Sequence, residues 1–279
     1  FGARSVHAVG AEVCGFHHAP AAAQVAALCG KLRAALPEAA QLVQWTAALK
    51  LPDEAQGFAS VALRHPVEYP MNEGRIVSDR GLNIGIDAFD RHFREHQVPH
   101  STALHCLLDG KPYLVGPLAR VNLNRDRFPD AVKTVLAEAG IPWPSGNMFH
   151  SIVARAIEIY YALWEAVRIL ESYRVPDSPS VAALTAAAGV GYGCTEAPRG
   201  LLWHRYELDA AGHVVAARIV PPTSQNQARI EENLQQALLA QGLDQAQDKL
   251  RFHCEQVIRN YDPCISCATH FLDLRLRRN

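Results

Sequence analysis

One long amphipathic segment, residues 147–173, constrains the fold of this chain more than any other stretch. Apolar residues recur there in steps of three and four, at Phe149, Val153, Ile157, Tyr160, Trp164, Val167 and Leu170. This spacing predicts one face of a long α-helix, because an α-helix has 3.6 residues per turn. Charged residues interrupt the run at Arg155, Glu158, Glu165 and Arg168. The segment therefore lacks the roughly 18 uncharged residues of a bilayer span, and no membrane span is predicted.

Three further segments have helical spacing, namely residues 20–49, 228–243 and 245–259. Pro37 predicts a division of the first segment into two helices, since proline removes a backbone donor and clashes with the preceding turn. The last segment is expected to stop before Asp262-Pro263. These helices dominate the predicted secondary structure.

Strands are predicted in two hairpins. In the first, residues 104–108 pair with residues 113–115 across Asp109-Gly110, and in the second, residues 201–208 pair with 213–220. The second hairpin would place the loop Pro198-Arg199-Gly200 beside the loop Pro221-Pro222-Thr223. The predicted fold class is mostly α with small antiparallel β hairpins, an α+β fold, in one domain covering residues 1–279.

Composition limits the function classes. The chain has 27 basic and 28 acidic residues without a long run of either sign, so no nucleic-acid partner is predicted. Seven cysteines, an odd number, are poor material for a disulfide framework and favour the reducing cytoplasm. The chain begins at Phe1 rather than at methionine, so we expect it to be the C-terminal part of a longer subunit.

The densest chemistry lies in residues 262–270, Asp-Pro-Cys-Ile-Ser-Cys-Ala-Thr-His. Cys264, Cys267 and His270 follow one another in steps of three, a spacing that can bring three ligands to one ion. Thiolates are soft ligands that favour zinc, iron–sulfur clusters, copper(I) or nickel. The motif by itself leaves a structural zinc site, a redox dithiol and ordinary core cysteines as alternatives.

Several ordered motifs resemble the large subunits of nickel–iron hydrogenases, particularly the cytoplasmic NAD(P)-linked, sulfhydrogenase-like branch. The C-terminal motif at 261–270 resembles the signature of that family, and residues 195–200, Thr-Glu-Ala-Pro-Arg-Gly, resemble its arginine loop. Residues 220–226 resemble its proline–threonine segment. Residues 65–70, 115–124 and 154–158 add to the similarity.

The resemblance implies a metal centre. Cys264 would be a terminal nickel ligand, Cys267 would bridge nickel and an iron that carries diatomic ligands, and His270 would bind magnesium. The backbone carbonyl of Arg218 would join the magnesium ion. The other two cysteines and an acidic magnesium ligand would belong to an upstream Cys-x-x-Cys region. Pro198, Pro221, Pro222 and Thr223 would surround the centre.

The resemblance also implies an activity, the reversible heterolytic cleavage of dihydrogen. Arg199 would stand over the open coordination position, Asp262 would hold its guanidinium group, and the Cys264 thiolate would accept a proton, because arginine itself is a poor acceptor. Electrons would pass through an iron–sulfur small subunit to NAD(P), with flavin and iron–sulfur clusters on partner subunits only. A maturation endopeptidase would remove residues 271–279, unless they are a permanent tail.

Two alternatives to a hydrogenase remain at this point, a non-enzymatic zinc-binding or electron-transfer scaffold of the same fold and a respiratory-complex subunit. Retention of Cys264 and Cys267 argues against the respiratory relative. Residues 189–193, Gly-Val-Gly-Tyr-Gly, are interpreted as a close-packed turn and not as a nucleotide-binding loop, because Cys194 replaces the third glycine. Histidines scattered singly, including His105, are interpreted as packing or surface residues.

Overall fold

The computed structural model describes residues 10–12, 15–180 and 185–264. Cys267, His270 and the tail 271–279 lie outside the described residues. The α-helices are α1 (Ala22–Ala47), α2 (Phe89–His92), α3 (Pro117–Asn124), α4 (Asp130–Glu138), α5 (Ser151–Glu171), α6 (Pro222–Gln241) and α7 (Gln247–Arg259). Short 3-10 helices cover Ile86–Ala88, Arg125–Arg127 and Met148–His150.

The strands form small antiparallel sheets. In chain order they are β1 (Ala11–Glu12), β2 (Gly15–Phe16), β3 (Val61–Arg64), β4 (Arg75–Ser78), β5 (Asn83–Ile84), β6 (Phe93–Gln97), β7 (Leu104–Leu108), β8 (Gly189–Ala197), β9 (Gly200–Leu208) and β10 (Val214–Val220). The sheet orders are β1-β2, β3-β4-β5, β6-β7 and β10-β9-β8. The arrangement agrees with the predicted mixture of helices and antiparallel hairpins.

Two apolar clusters form most of the core. The first lies where α1 and α4 pack against α5, and it contains Val43, Val132 and Ile157. The second joins the sheets and contains Leu63, Phe93 and Trp203. Helix α5 supplies its predicted apolar face through Val153, Ile157 and Val167. No helix among the described residues is long and apolar enough to cross a bilayer.

The prediction that Pro37 divides the first helical segment is wrong. Helix α1 runs from Ala22 to Ala47 with Pro37 inside it. The helix packs along α5 and buries Val25, Cys29, Ala39 and Val43 on both sides of the proline. Tertiary burial therefore outweighs the loss of one backbone hydrogen bond.

The pairing predicted for the first hairpin is also wrong. Strand β7 pairs with β6, placing Leu108 opposite Phe93, whereas Leu114 forms a parallel bridge with Ser60. The turn at Asp109-Gly110 is present, since both residues have positive φ, 46° and 79°, and Leu108 bridges Lys111. The residues that follow the turn run into the interior of the protein, where Tyr113 is fully buried.

The second hairpin is present, with Val220 opposite Trp203 and a turn at 209–212. Its open end differs from the prediction, because residues 222–226 are the first turns of α6 and not a loop. Pro222 is tolerated at the first helical position, where its missing N–H has no helical acceptor. Residues 189–193 lie in β8, and no neighbouring atom lies within 4 Å of a Cβ built on its glycines. The prediction of a close-packed turn there is wrong.

Candidate metal centre

Arg199 lies in the turn between β8 and β9 and reaches the segment that follows α7. Its Nε donates to the backbone oxygen of Asp262 at 2.5 Å and lies 3.1 Å from Oδ2 of the same residue. The Arg199 side chain is 34% exposed. Within the described part of the chain its contacts with Asp262 run through Nε, and the Arg199 side chain lines a small cavity at this place. The structure therefore brings these two predicted site residues together.

Cys264 joins the same place through its main chain. Its backbone N–H donates to Oγ1 of Thr223 at 3.4 Å. Thr223 is buried in the first turn of α6, so Cys264 is attached to a rigid element. Four of the predicted site residues, Arg199, Thr223, Asp262 and Cys264, thus meet at one junction.

Two glycines allow the Arg199 turn to approach the segment before α3. Gly116 has φ +110°, and a Cβ there would lie 2.7 Å from the backbone oxygen of Arg199. Gly200 has φ +136°, and a Cβ there would lie 2.5 Å from Cγ2 of Val115. Both positions require glycine, for backbone conformation and for space. The close approach fixes the main chain from which Arg199 projects.

The first turns of α6 form hydrogen bonds with the segment before α3 and with the start of β9. The side chain of Asn226 accepts from Val115 N at 2.9 Å and donates to Val115 O at 3.1 Å, satisfying both backbone groups. Gln225 donates from Nε2 to Leu201 O at 2.6 Å and accepts from the Tyr113 hydroxyl at 3.2 Å. Both side chains are buried, so these hydrogen bonds are costly to lose.

A buried ion-pair network lies beneath the Arg199 turn. Arg120 of α3 binds both carboxylate oxygens of Glu158 of α5 at 2.6 Å and donates to Glu196 at 3.0 Å. It also donates to the carbonyls of Ala197 and Pro198, at 2.7 and 3.1 Å. Burial by itself lowers the pKa of Arg120, but Glu158 and Glu196 outweigh that effect and raise it. The guanidinium stays charged and clamps the chain just before Arg199.

The segment carrying Asp262 is anchored on α5. The Asn260 carbonyl accepts from Ser151 Oγ at 2.8 Å and from Arg155 Nη2 at 2.7 Å. Asp262 itself has φ +48°, an uncommon conformation for a residue other than glycine. Burial lowers the pKa of Arg155, while the charge of Asp262 opposes that shift.

The remaining predicted site residues have different surroundings. Pro221 and Pro222 flank the start of α6. The Arg218 side chain is directed to Asp90 and Glu95 and lies over the Trp203 ring at 5.9 Å, so its carbonyl role stays a prediction. Reasoning from sequence did not assign Arg120, Arg155, Gln225 or Asn226 to the site. For the last two the sequence offered a signal, since they lie in the segment 220–226 that resembles the proline–threonine segment of the hydrogenase family.

The junction suits a thiolate-bound metal group. Arg155 and Arg199 line one small cavity together with Ser151, Asn226 and Tyr261. Two guanidinium groups line this cavity, and Arg155 interacts electrostatically with the carboxylates of Asp262 and Glu158. Guanidinium groups at such a place can complement an anionic, thiolate-rich centre. A soft sulfur donor is present in Cys264. The described residues therefore fit a nickel–iron centre with cysteine ligands.

Comparison with known proteins gives the family. Residues 105–270 match the sequence model of nickel-dependent hydrogenases. Sulfhydrogenase 1 subunit alpha of Pyrococcus furiosus is 30% identical over 278 residues, which are 98% of this chain and 64% of that protein. The NAD-reducing hydrogenase HoxS subunit beta of Cupriavidus necator is 34% identical over 168 residues, 57% of this chain and 34% of that protein.

A solved structure of an NAD+-reducing nickel–iron hydrogenase in the H2-reduced state has the same fold, with a TM-score of 0.76 and 21% identity. The alignment covers 92% of this chain and 62% of that one. The chain thus spans 64% of the length of the Pyrococcus furiosus protein and 62% of the chain in this solved structure. The matches confirm the resemblance inferred from the sequence motifs. The chain belongs to the nickel-dependent hydrogenase family.

Proposed function

We propose that this chain is part of the catalytic large subunit of a nickel–iron hydrogenase, which cleaves dihydrogen reversibly and heterolytically. The observation that carries the proposal is the junction of Arg199, Thr223, Asp262 and Cys264, built from three separate parts of the chain. Membership of the family supplies the reaction class. The alternative is a scaffold of the same fold that binds zinc and has no hydrogenase activity.

The proposed ligands follow from the sequence motif. Cys264 and Cys267 would hold nickel and iron, and His270 with the Arg218 carbonyl would hold magnesium. The remaining ligands would come from a part of the subunit beyond these 279 residues. When bound, the nickel–iron group would supply the place where the H–H bond breaks and the two electrons are taken up.

The residues of the chain handle the proton and the charge. Oxidation of H2 yields two protons and two electrons. The Cys264 thiolate accepts one proton at Sγ and passes it to solvent, and the second proton leaves by the same route once the two electrons have been taken up. A thiolate has a proton affinity suited to neutral pH, whereas a guanidinium has no free lone pair. Arg199, with Nε held by Asp262, directs its terminal amino groups toward the charge that develops at the site. Asp262 thus fixes the orientation of Arg199.

The electrons would pass to an iron–sulfur small subunit and, through flavin-containing diaphorase subunits, to NAD(P). The NAD-reducing relative supports this acceptor. A cytoplasmic location would agree with thiols at Cys29, Cys106, Cys194 and Cys254 that form no disulfide. Processing by a maturation endopeptidase after His270 would complete the subunit.

The experiment compares Cys264→Ser with a matched control, Cys254→Ser, in the protein purified anaerobically with its copurifying subunits. Cys254 is a partly exposed thiol in α7. Nickel per chain and hydrogen-dependent dye reduction are measured for both. We expect Cys264→Ser to lose nickel and activity, and Cys254→Ser to keep both. Wild-type protein that contains zinc but neither nickel nor hydrogenase activity would favour the scaffold.

A further inference from the structure

A second cluster of metal-ligating side chains lies beside the middle of α6, away from the first turns that contact Cys264 and Val115. It contains His100, His105 and Glu231, whose ligand atoms all lie within 4.8 Å of one another. His100 lies in the connection between β6 and β7, His105 in β7 and Glu231 in α6. The sequence gives no sign of the cluster because Glu231 is 126 residues from His105.

The distances are those of a site that needs little rearrangement. Glu231 Oε1 lies 2.9 Å from His105 Nε2 and 3.0 Å from His100 Nε2. Tetrahedral zinc with ligand bonds of about 2.0–2.1 Å separates its ligand atoms by about 3.3 Å. A small outward movement of these side chains would admit the ion.

Both ring nitrogens of His105 face an acceptor, an arrangement that is compatible with a cation at Nε2. Its Nδ1 faces the Ala103 carbonyl at 3.2 Å, while its Nε2 faces Glu231. A neutral imidazole has one N–H and can donate to only one of these two acceptors, so the other needs a second proton or a cation at Nε2, in a side chain that is 5% exposed. A metal ion at Nε2 replaces that second proton. The Ala103 carbonyl then holds the proton on Nδ1 and orients the ring.

Charge and rigidity favour the same interpretation. Glu231 contributes a carboxylate that contacts both imidazole rings. His105 and Glu231 are held on a strand and a helix that pack together. His100 is 64% exposed, which gives an ion access from solvent.

We propose that His100, His105 and Glu231 bind one zinc ion, with water as the fourth ligand. Two imidazole nitrogens and one carboxylate oxygen suit zinc, whereas magnesium prefers oxygen ligands alone. The ion would clip the β6–β7 connection to α6, the helix whose first turns hold Cys264 and Val115 through Thr223 and Asn226. Its role would be structural, at a site separate from the cysteine ligands.

The test is a zinc titration, competed with a chromophoric chelator, on the protein purified with its copurifying subunits and stripped of loosely bound metal. The variants are His100→Gln, His105→Gln and Glu231→Gln, and the control is His92→Gln, which removes another histidine that faces a carboxylate, Asp109. All of them keep every cysteine, so zinc bound by thiols contributes equally.

We expect wild type and His92→Gln to bind one zinc ion more than the three cluster variants at the same free zinc concentration. The affinity should fall by at least about tenfold in each, since even loss of an outer partner costs about 10–100-fold. His100→Gln and Glu231→Gln decide the result if the buried His105→Gln variant fails to fold. Equal zinc binding by wild type and these two variants would overturn the proposal.

Discussion

At the scale of single residues, the junction depends on one nitrogen of Arg199. Nε is bound by Asp262, and in the proposed mechanism the terminal amino groups face the site. Lysine keeps the positive charge but has no equivalent of Nε and no planar fork. The role of Arg199 therefore rests on geometry as well as charge, and a conservative replacement separates the two.

We predict that Arg199→Lys lowers the rate of hydrogen oxidation by about 100-fold, the usual cost of losing one oriented donor. Nickel content should stay unchanged. The control is Arg75→Lys, because Arg75 also donates from Nε, to Asn83 at 2.6 Å, and occupies an exposed position at the start of β4. Hydrogen-dependent dye reduction and metal analysis measure both quantities. An Arg199→Lys variant as active as Arg75→Lys would remove Arg199 from the mechanism.

The buried thiol of Cys194 should make the folded protein less stable at alkaline pH. Burial, with a further contribution from Glu196, raises the pKa of this thiol far above its usual value. The unfolded thiol ionises from about pH 8.5, while the folded thiol retains its proton. Its contribution to stability is therefore complete below about pH 8.5 and falls above it, by about 1.4 kcal/mol per pH unit.

Cys194→Ala should reduce the alkaline loss of stability by about 1.4 kcal/mol per pH unit, whatever its effect at neutral pH. A comparable loss should remain, because burial also raises the pKa of the Cys106 thiol, to about 12. Urea unfolding at pH 7, 8.5 and 10 measures it, with Cys254→Ala as the control because Cys254 is only partly buried. The alkaline loss in Cys254→Ala should equal that of wild type. A slope in Cys194→Ala as steep as that of wild type would show that Cys194 does not contribute to the alkaline loss.

At the scale of elements, glycines set how closely the Arg199 turn approaches the start of α3. Gly116→Ala would place a methyl group 2.7 Å from the Arg199 carbonyl, in addition to the strain of φ +110°. Gly81→Ala is the matched control, since Gly81 has φ +94° with no atom within 4 Å of the added carbon. Both should lose about 1–2 kcal/mol of stability through backbone strain.

Only Gly116→Ala should also lose hydrogenase activity, because only there must the turn that carries Arg199 move. Unfolding by urea and the dye-reduction assay together distinguish strain from displacement. If the two variants lost activity equally, the close contact at Gly116 would have no special role.

The elements predictable from sequence were those with local signals. Apolar periodicity was enough to predict α5, and the turn at 209–212 was enough to predict the β9–β10 hairpin. The predicted break at Pro37 was wrong because the burial of α1 along α5 is a tertiary effect, which no local pattern shows. The pairing of β7 with β6 depends on partners that no local turn specifies.

Some residues of the candidate site were likewise predictable from the sequence, and others were not. The sequence motifs identified Arg199, Asp262 and Cys264 as chemical groups, and the structure places them at one junction. The groups that hold the junction, Arg120 and Asn226, are polar side chains buried by distant segments. Their roles depend on long-range packing and leave no spacing pattern in the sequence.

At the scale of the whole molecule, the Arg120 network joins α3, α5 and β8 beneath the junction. Removing one charge from a buried pair costs about 3–5 kcal/mol, whereas an exposed pair contributes about 0–1 kcal/mol. Glu158→Gln should therefore destabilise the protein by about 3 kcal/mol. Asp126→Asn, which breaks the exposed pair with Arg64, should cost less than about 1 kcal/mol.

Hydrogen exchange of the native protein tests whether the network also couples these elements. If Arg120 links them into one cooperative unit, Glu158→Gln should accelerate amide exchange together in α3, in α5 and at the end of β8 near Ala197. The tip of the β9–β10 hairpin, residues 208–214, lies at the opposite end of β9 from Ala197 and is largely exposed, so its exchange should not change. Faster exchange confined to α5 would mean that Glu158 stabilises only its own helix. The Arg199 turn would then owe its position to the glycine contact and α6 alone.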